Sequence, residues 1–330
     1  MHLKSRGRLM RCAALAAVAF AAALTPAGAQ TYPTAKPIRI IVPAAAAGVS
    51  DVLARLTADY LGHALNQTVI VENRPGAGGN VGADVTAKAP PDGYTLCMIT
   101  VGNVAINPFI YKDMPFDALK DLVPVAPVAE LPQVVVINAG LPVHSLKELI
   151  AYAKERPGKL NYGSAGVGTT TQLAAELFAQ MGGIKLVHVP YRGAAPAVQD
   201  TAAGQVQMTF VGLGSAQPLL ATGKVRVLAV ASKHRMAGAP DLPTAAESGL
   251  PGYEFSTWLG LVTARGTPAP AIMTVNRAIA AMVDDAAVRK RLVDAGLEPM
   301  KGTPAEFEAR IQADYKKFGG LVKVAGLKPE

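Results

Sequence analysis

LNYGSAGVGTTTQL, residues 160–173, sets the architecture expected of the whole chain. LNYG reads as a short strand, GSAGVG as a loop of small residues, and TTTQL as the start of an apolar helical run. Gly163, Gly166 and Gly168 permit a tight turn and a close approach of backbone to a ligand. Ser164, Thr169, Thr170 and Thr171 surround that turn with hydroxyls and offer several N-caps. The first amides of a helix have no internal partner and lie at the positive end of its dipole, so such a loop suits a carboxylate or a phosphate. The alternative is a glycine-rich strand-to-helix turn that only caps its helix. On these residues alone both readings stand.

A second unit of the same kind precedes it. PIRIIVP (37–43) is an apolar strand bounded by prolines, followed by the small-residue loop 44–50. The next run, DVLARLTADYLGHAL, places Val52, Leu53, Leu56, Tyr60 and Leu61 at helical spacing. Ser50 is the expected N-cap. Asp51 puts a carboxylate in the first turn and is expected to pair on the surface with Arg55, four residues on. Two such units can grip one ligand from both sides.

Further strands are expected at 68–73, 94–100, 185–191, 206–212 and 225–232, with helices at 146–155, 172–181, 195–203 and 216–222. This alternation predicts an α/β fold with parallel-type sheets and crossover helices. Asn103 and Asn107 follow the strand that ends at Thr100. Two extended stretches interrupt the alternation: 121–138, with Pro124, Pro127 and Pro132, and YEFSTWLGLVTA at 253–264. They read as crossings between two lobes, and helices at 269–283, 286–295 and 304–318 form a tail. The lobes are expected at 30–128 plus 255–330 and at 129–254. Ligands in such sheets sit at the carboxyl ends of the strands, where both loop–helix units point.

Residues 1–29 stand apart from the fold. Lys4, Arg6, Arg8 and Arg11 precede an apolar run at 12–24 and an Ala-Gly-Ala site at 27–29, the pattern of a secretory signal peptide cleaved before Gln30. The run is shorter than the ~20 residues of a membrane span. Loss of this leader takes the formal net charge from +8 to +4. No basic–aromatic cluster accompanies that charge, so nucleic acid is not an expected partner. Cys97, within the apolar YTLCMIT, is the one cysteine left; it is expected in the core, without a disulfide.

Catalytic and cofactor patterns fail one by one. Gly163-Ser164-Ala165-Gly166 lacks the leading residue of a G-x-S-x-G elbow, and His63, His144, His188 and His234 are scattered without metal spacing. The glycines from Gly76 meet Val81 where a dinucleotide loop needs glycine, and no P-loop lysine follows a glycine run. No catalytic residue, cofactor or metal is expected. The rival reading, a secreted enzyme acting on a small acid, needs a nucleophile–base pair that the sequence does not reveal.

Several segments in order carry a resemblance: YPTAKPIRIIVP (32–43), VIVENRPGAGGNVGA (69–83), PDGYTL (91–96), LNYGSAGVGTTTQLAAELF (160–178), HVPYRGAAPAVQD (188–200), LPTAAESGLPGYE (242–254) and the W-x-G-L at Trp258. With these the chain resembles the periplasmic solute receptors of tripartite tricarboxylate transporters, the Bug family. The resemblance implies a two-lobed, type II periplasmic binding fold, a monomer in the periplasm, that closes on a small carboxylate and delivers it to integral membrane transporter subunits. By position it implies ligand contacts from Ala46, Ala47, Gly48, Ser50 and Asp51 in lobe one, and from Ser164, Gly166, Gly168, Thr169 and Thr170 in lobe two. Thr100, Asn103, Tyr191 and Arg192 are further candidates. Tyr191 reads equally as a ring packed under the loop, and Arg192 as a solvated turn residue. The family's first loop usually runs Phe-Pro-Ala-Gly-Gly-x-Thr-Asp, whereas here alanines replace the aromatic and one glycine, with Gly48, a hydroxyl and Asp51 kept. The missing ring implies room for a bulkier ligand, and Ala47 restricts φ where glycine is usual. Gln207 replaces a common aspartate. A sensor presenting the ligand to a membrane signalling protein would share the same fold and site.

Overall fold

The computed structural model describes residues 32–327; the leader expected at 1–29 lies outside them. In the first lobe, β1 (Ile38–Val42) leads through the alanine loop into α1 (Val49–Leu65). β2 (Val69–Asn73) and β3 (Thr95–Thr100) flank β1 in parallel, as expected for strands joined by crossovers. The glycine-rich stretch between them forms a 3₁₀ turn (Ala77–Gly79) and α2 (Asn80–Ala87), elements that its composition conceals. A π-helical turn (Gly102–Ile106) and α3 (Asn107–Ile110) follow β3.

The second lobe repeats the plan with α4 (Leu146–Lys154), β5 (Leu160–Ser164), α5 (Thr170–Gly182), β6 (Leu186–Pro190), α6 (Ala194–Ala203), β7 (Met208–Gly212), α7 (Leu213–Leu220) and β8 (Val225–Val230). β5 lies parallel between β6 and β7. β4 (Leu122–Asn138) and β9 (Ser256–Ala264) are the two extended crossings. The tail is α8 (Ala269–Asp284), α9 (Ala286–Asp294), the two-residue β10 (Glu298–Pro299) and α10 (Pro304–Val324).

The strands form one curled sheet in the order β2-β1-β3-β9-β4-β7-β5-β6, with β8 and β10 also on β4. β4 therefore belongs to both lobes. Its residues 122–132 pair with β9, and Gln133 onward pairs with β7. All pairings of β4 and β9 are antiparallel, so the sheet is mixed rather than parallel throughout. The prolines explain the irregular edge: Pro124 and Pro127 have no N–H for the ladder, and the register against β9 slips beside each of them.

The tail fastens this junction. Buried Trp258 donates Nε1–H to Asp314 at 2.7 Å, and Arg310 bridges Asp314 at 2.8 Å and Glu130 of β4 at 3.1 Å. Gly260 of β9 leaves space that the Phe307 ring of α10 fills. Glu298 accepts the Ala237 N–H at 2.8 Å, which ties the tail to the second lobe, and burial raises its pKa. Cys97 is fully buried and its thiol is pushed up to about 12 by desolvation, which confirms the core position. Among the described residues no helix is long and apolar enough to cross a membrane.

Candidate functional site

Both strand–loop–helix units open into one cleft between the lobes. Its inner chamber, about 180 Å³, is lined by Ser50 of α1, Thr100 at the end of β3, Gly102 of the π-helical turn, Thr170 of α5, and Leu131 and Thr257 of the crossings. None of its lining residues is charged. A second chamber of about 400 Å³ shares Val49 and Leu131 with the first and is bounded by Gly214 and Ser215 at the start of α7. The Ser50 and Thr170 hydroxyls have no hydrogen-bond partner among the described residues. They sit in the first turns of helices of 17 and 13 residues, where the leading amides also lack intrahelical partners.

The first loop is held by a charge. α1 begins at Val49, so Gly48 is the N-cap and Ser50 is not, contrary to the sequence expectation. No side chain caps the first turn; Asp51 instead braces the loop ahead of it, its carboxylate accepting the Ala47 N–H at 2.9 Å, Asn73 Nδ2–H at 3.0 Å and Arg55 Nε–H at 3.1 Å. Only 3% of Asp51 is exposed, so the expected surface pair is a buried anchor beneath the loop. The Arg55 hydrogen bond, joined by those from Ala47 and Asn73, holds its pKa below the usual carboxylate range. Ala46, Ala47 and Gly48 all lie in the loop's exposed stretch. Ala47 adopts φ 66°, so the glycine-like shape of the loop survives at the cost of a side chain in the left-handed region.

Neutral groups hold the second loop. Ser164 is fully buried, with Oγ 2.6 Å from His188 Nε2 and accepting the Gly166 N–H at 3.1 Å. Thr171 Oγ1 accepts from Ala165 N–H at 2.7 Å, and Gln172 Oε1 from Gly168 N–H at 2.8 Å. Thr169 is the N-cap of α5, but its hydroxyl donates to Gly166 O at 2.7 Å instead of capping the first turn. Gly168 has φ 74°, and a Cβ there would lie 3.3 Å from Ile110 Cδ1 across the lobes. Ser164, Gly166, Gly168 and Thr169 thus shape the loop, while Thr170 and the leading α5 amides face the cleft.

The Ser164–His188 contact is a hydroxyl–imidazole pair that the sequence concealed. The parallel β5–β6 register sets Tyr162 against His188 and brings residues 24 apart together. Ser164 has no exposed surface, so the pair braces the loop and its hydroxyl does not reach the cleft. Burial lowers the His188 pKa and favours the neutral ring.

The remaining candidates divide. Thr100 lines the inner chamber, and Asn103 braces it from behind by accepting Thr100 N–H at 3.0 Å and Oγ1–H at 2.8 Å. Asn103 also donates to Gly78 O at 2.9 Å. Tyr191 donates its hydroxyl to Asp200 at 2.7 Å, its pKa pushed up to about 12 chiefly by burial. Its ring lies against Gly163, the packing geometry. Arg192 is exposed and lines neither chamber. Val49, Gly102, Leu131, Ser215 and Thr257 line the cleft without having been singled out from sequence. The signal for Ser215 was available, because LGSAQ after β7 is a third small-residue strand–helix junction.

Comparison with known proteins fixes the family. A family model described as tripartite tricarboxylate transporter family receptor matches residues 53–327. Protein BugT of Bordetella pertussis is 35% identical over 312 residues, covering 94% of this chain and 95% of its own. The chain belongs to the tripartite tricarboxylate transporter receptor family. Among solved receptors, Rhodopseudomonas palustris Rpa4515 with adipate is 36% identical with a TM-score of 0.77, over 91% of this chain and all of that one. MatC from the same organism, with bound malate, is 30% identical with a TM-score of 0.72, over 88% of this chain and 99% of that one. The aliphatic sulphonate binding protein SsuA of Escherichia coli, at 15% identity and a TM-score of 0.52, shares the two-lobed fold alone.

Proposed function

We propose that this chain is a periplasmic receptor that captures a small carboxylate between its lobes and delivers it to a tripartite tricarboxylate-type membrane transporter. The observation that supports the reading is the convergence of two helix N-termini, one from each lobe, on an inner chamber without charged lining, where the Ser50 and Thr170 hydroxyls have no partner among the described residues. Helix dipoles, free amides and hydroxyls stabilise an anion without a cationic side chain. Each lobe supplies half of the grip, so the ligand binds the closed form more tightly and drives closure. The lobes run 30–128 plus 255–330 and 129–254, and hinge on β4 and on the chain entering β9. Adipate and malate in two solved relatives support the ligand class. Ser50, Thr100 and Thr170 contact the ligand. Gly48, Asp51, Asn103, Ser164, Gly166, Gly168 and Thr169 set the shape of the walls.

A thermal-shift screen of residues 30–330 against mono-, di- and tricarboxylates tests this. Ligand at a thousandfold its dissociation constant stabilises by about 4 kcal/mol. A shift confined to carboxylates, without turnover, is expected. Turnover of a small acid would favour the secreted-enzyme reading instead, and a co-purifying signalling protein in place of transporter subunits the sensor reading.

A further inference from the structure

Beside the cleft runs a groove along the first helix of lobe one. On α1, Val49, Val52 and Leu56 fall at spacings of three and four and so share a face. That face looks across a groove of about 230 Å³ at Arg291, Leu292 and Ala295 near the end of α9. Leu56 and Leu292 form a buried floor, but Val49 and Val52 are 49% and 57% exposed on the rim. Such an uncovered apolar stripe, flanked by polar surface, is a feature of binding grooves.

Two observations say what covers it. The groove adjoins the cleft: Val49 lines the groove and both chambers, and Ala295 lines the groove and the larger chamber. Its other end carries a free cation. Arg291 lies one turn before Ala295, the residue that caps α9; it is exposed, and its guanidinium has no ion pair or hydrogen bond among the described residues. The nearby Asp294 is already paired with Lys290 at 2.7 Å. From the amides at the start of α1 to Leu56 the wall runs about 10 Å, at the helical rise per residue.

We propose that this groove is a tail subsite, and that the receptor takes a linear α,ω-dicarboxylate longer than its inner chamber. One carboxylate sits at the helix N-termini, the methylene chain lies along Val52 and Leu56, and the distal carboxylate meets Arg291. This rests on the receptor reading above, with the inner chamber as the head site.

Calorimetry over the series from succinate to sebacate, with matched monocarboxylates, tests it. Affinity is expected to rise up to about fourfold per methylene once the chain enters the groove. Val52→Gln should flatten that rise, and Arg291→Gln should erase the advantage of each diacid over its monoacid. Both variants should bind succinate as the parent does. Equal binding of succinate and sebacate by the parent, or a rise that survives Val52→Gln, overturns the tail subsite and leaves the receptor reading standing. Absence of binding across the whole series overturns both.

Discussion

The two loops that frame the cleft both lead from a parallel strand into the N-terminus of a helix, yet they are built from different chemistry. The first is organised by one buried carboxylate, Asp51, which gathers Ala47, Asn73 and Arg55. The second uses no formal charge at its centre; Ser164, Thr169, Thr171 and Gln172 share its backbone polar groups among neutral side chains. On the proposed reading, the head of the site needs no cation, and a loop that presents amides to an anion can hide a carboxylate beneath itself. What matters is that the loop's own polar demands are met from behind, so that the outward amides and hydroxyls stay free.

The largest expected break in this symmetry comes from the charge. Asp51→Ala leaves the Ala47 N–H and Asn73 amide without their acceptor and should cost about 2 kcal/mol of stability in denaturant unfolding, with at least a tenfold loss of carboxylate affinity. Ser164→Ala removes one member of a distributed network and should cost about 1 kcal/mol, with a smaller affinity loss, because Thr171 and Gln172 still hold the loop. Equal costs for the two would mean that the loops are not built as differently as their contacts indicate.

Acid should separate the loops further. Burial depresses the His188 pKa below its ordinary 6.5, so the unfolded chain binds the proton more readily and stability falls as pH drops below 6.5. Asp51 is also depressed, from 3.8, but as an acid. Its contribution is complete above 3.8 and is lost only as pH falls through its lower folded value. Urea midpoints across pH should therefore show an upper limb that disappears in His188→Gln and a lower limb that shrinks in Asp51→Asn, the rest being carried by other depressed carboxylates such as Glu72, Asp92 and Asp117. A single limb below 3.8 in the parent would contradict the assignment to His188.

The smallest effect should be favourable. Ala47 holds φ 66°, so Ala47→Gly relieves local strain while adding some freedom to the unfolded chain. A net gain of up to about 1 kcal/mol, seen as a higher Tm, is expected. No gain would mean that the Asp51 contact already offsets the strain.

Much of this was legible in the sequence because glycine, proline and small hydroxyl residues punctuate it. The strand–loop–helix units at Ile38 and Leu160, the proline-broken crossing after Asp121 and the buried Cys97 all follow from local pattern. What escaped depends on distant neighbours. Ser50 satisfied every local rule for an N-cap, but Asp51 one residue later met Asn73 from β2 and took over the loop. The hydroxyl–imidazole pair arises only from the β5–β6 register, and Thr257 and Leu131 line the cleft because β4 and β9 run antiparallel. Alternation of strands and helices speaks for parallel neighbours and says nothing of strands that cross between lobes. The groove beside α1 was hidden because its opposite wall lies more than two hundred residues away in sequence.

The central claim is that helix N-termini from both lobes hold one anion, and calorimetry on Ser50→Ala, Thr170→Val and the double variant, with the carboxylate found in the screen, tests it directly. Each hydroxyl bonded to a charged ligand is worth about 1.5 kcal/mol, so each single change should weaken binding about tenfold and the double by more than either, with the fold intact by circular dichroism. Unchanged affinity in either single variant would place the ligand against one lobe only and contradict the account.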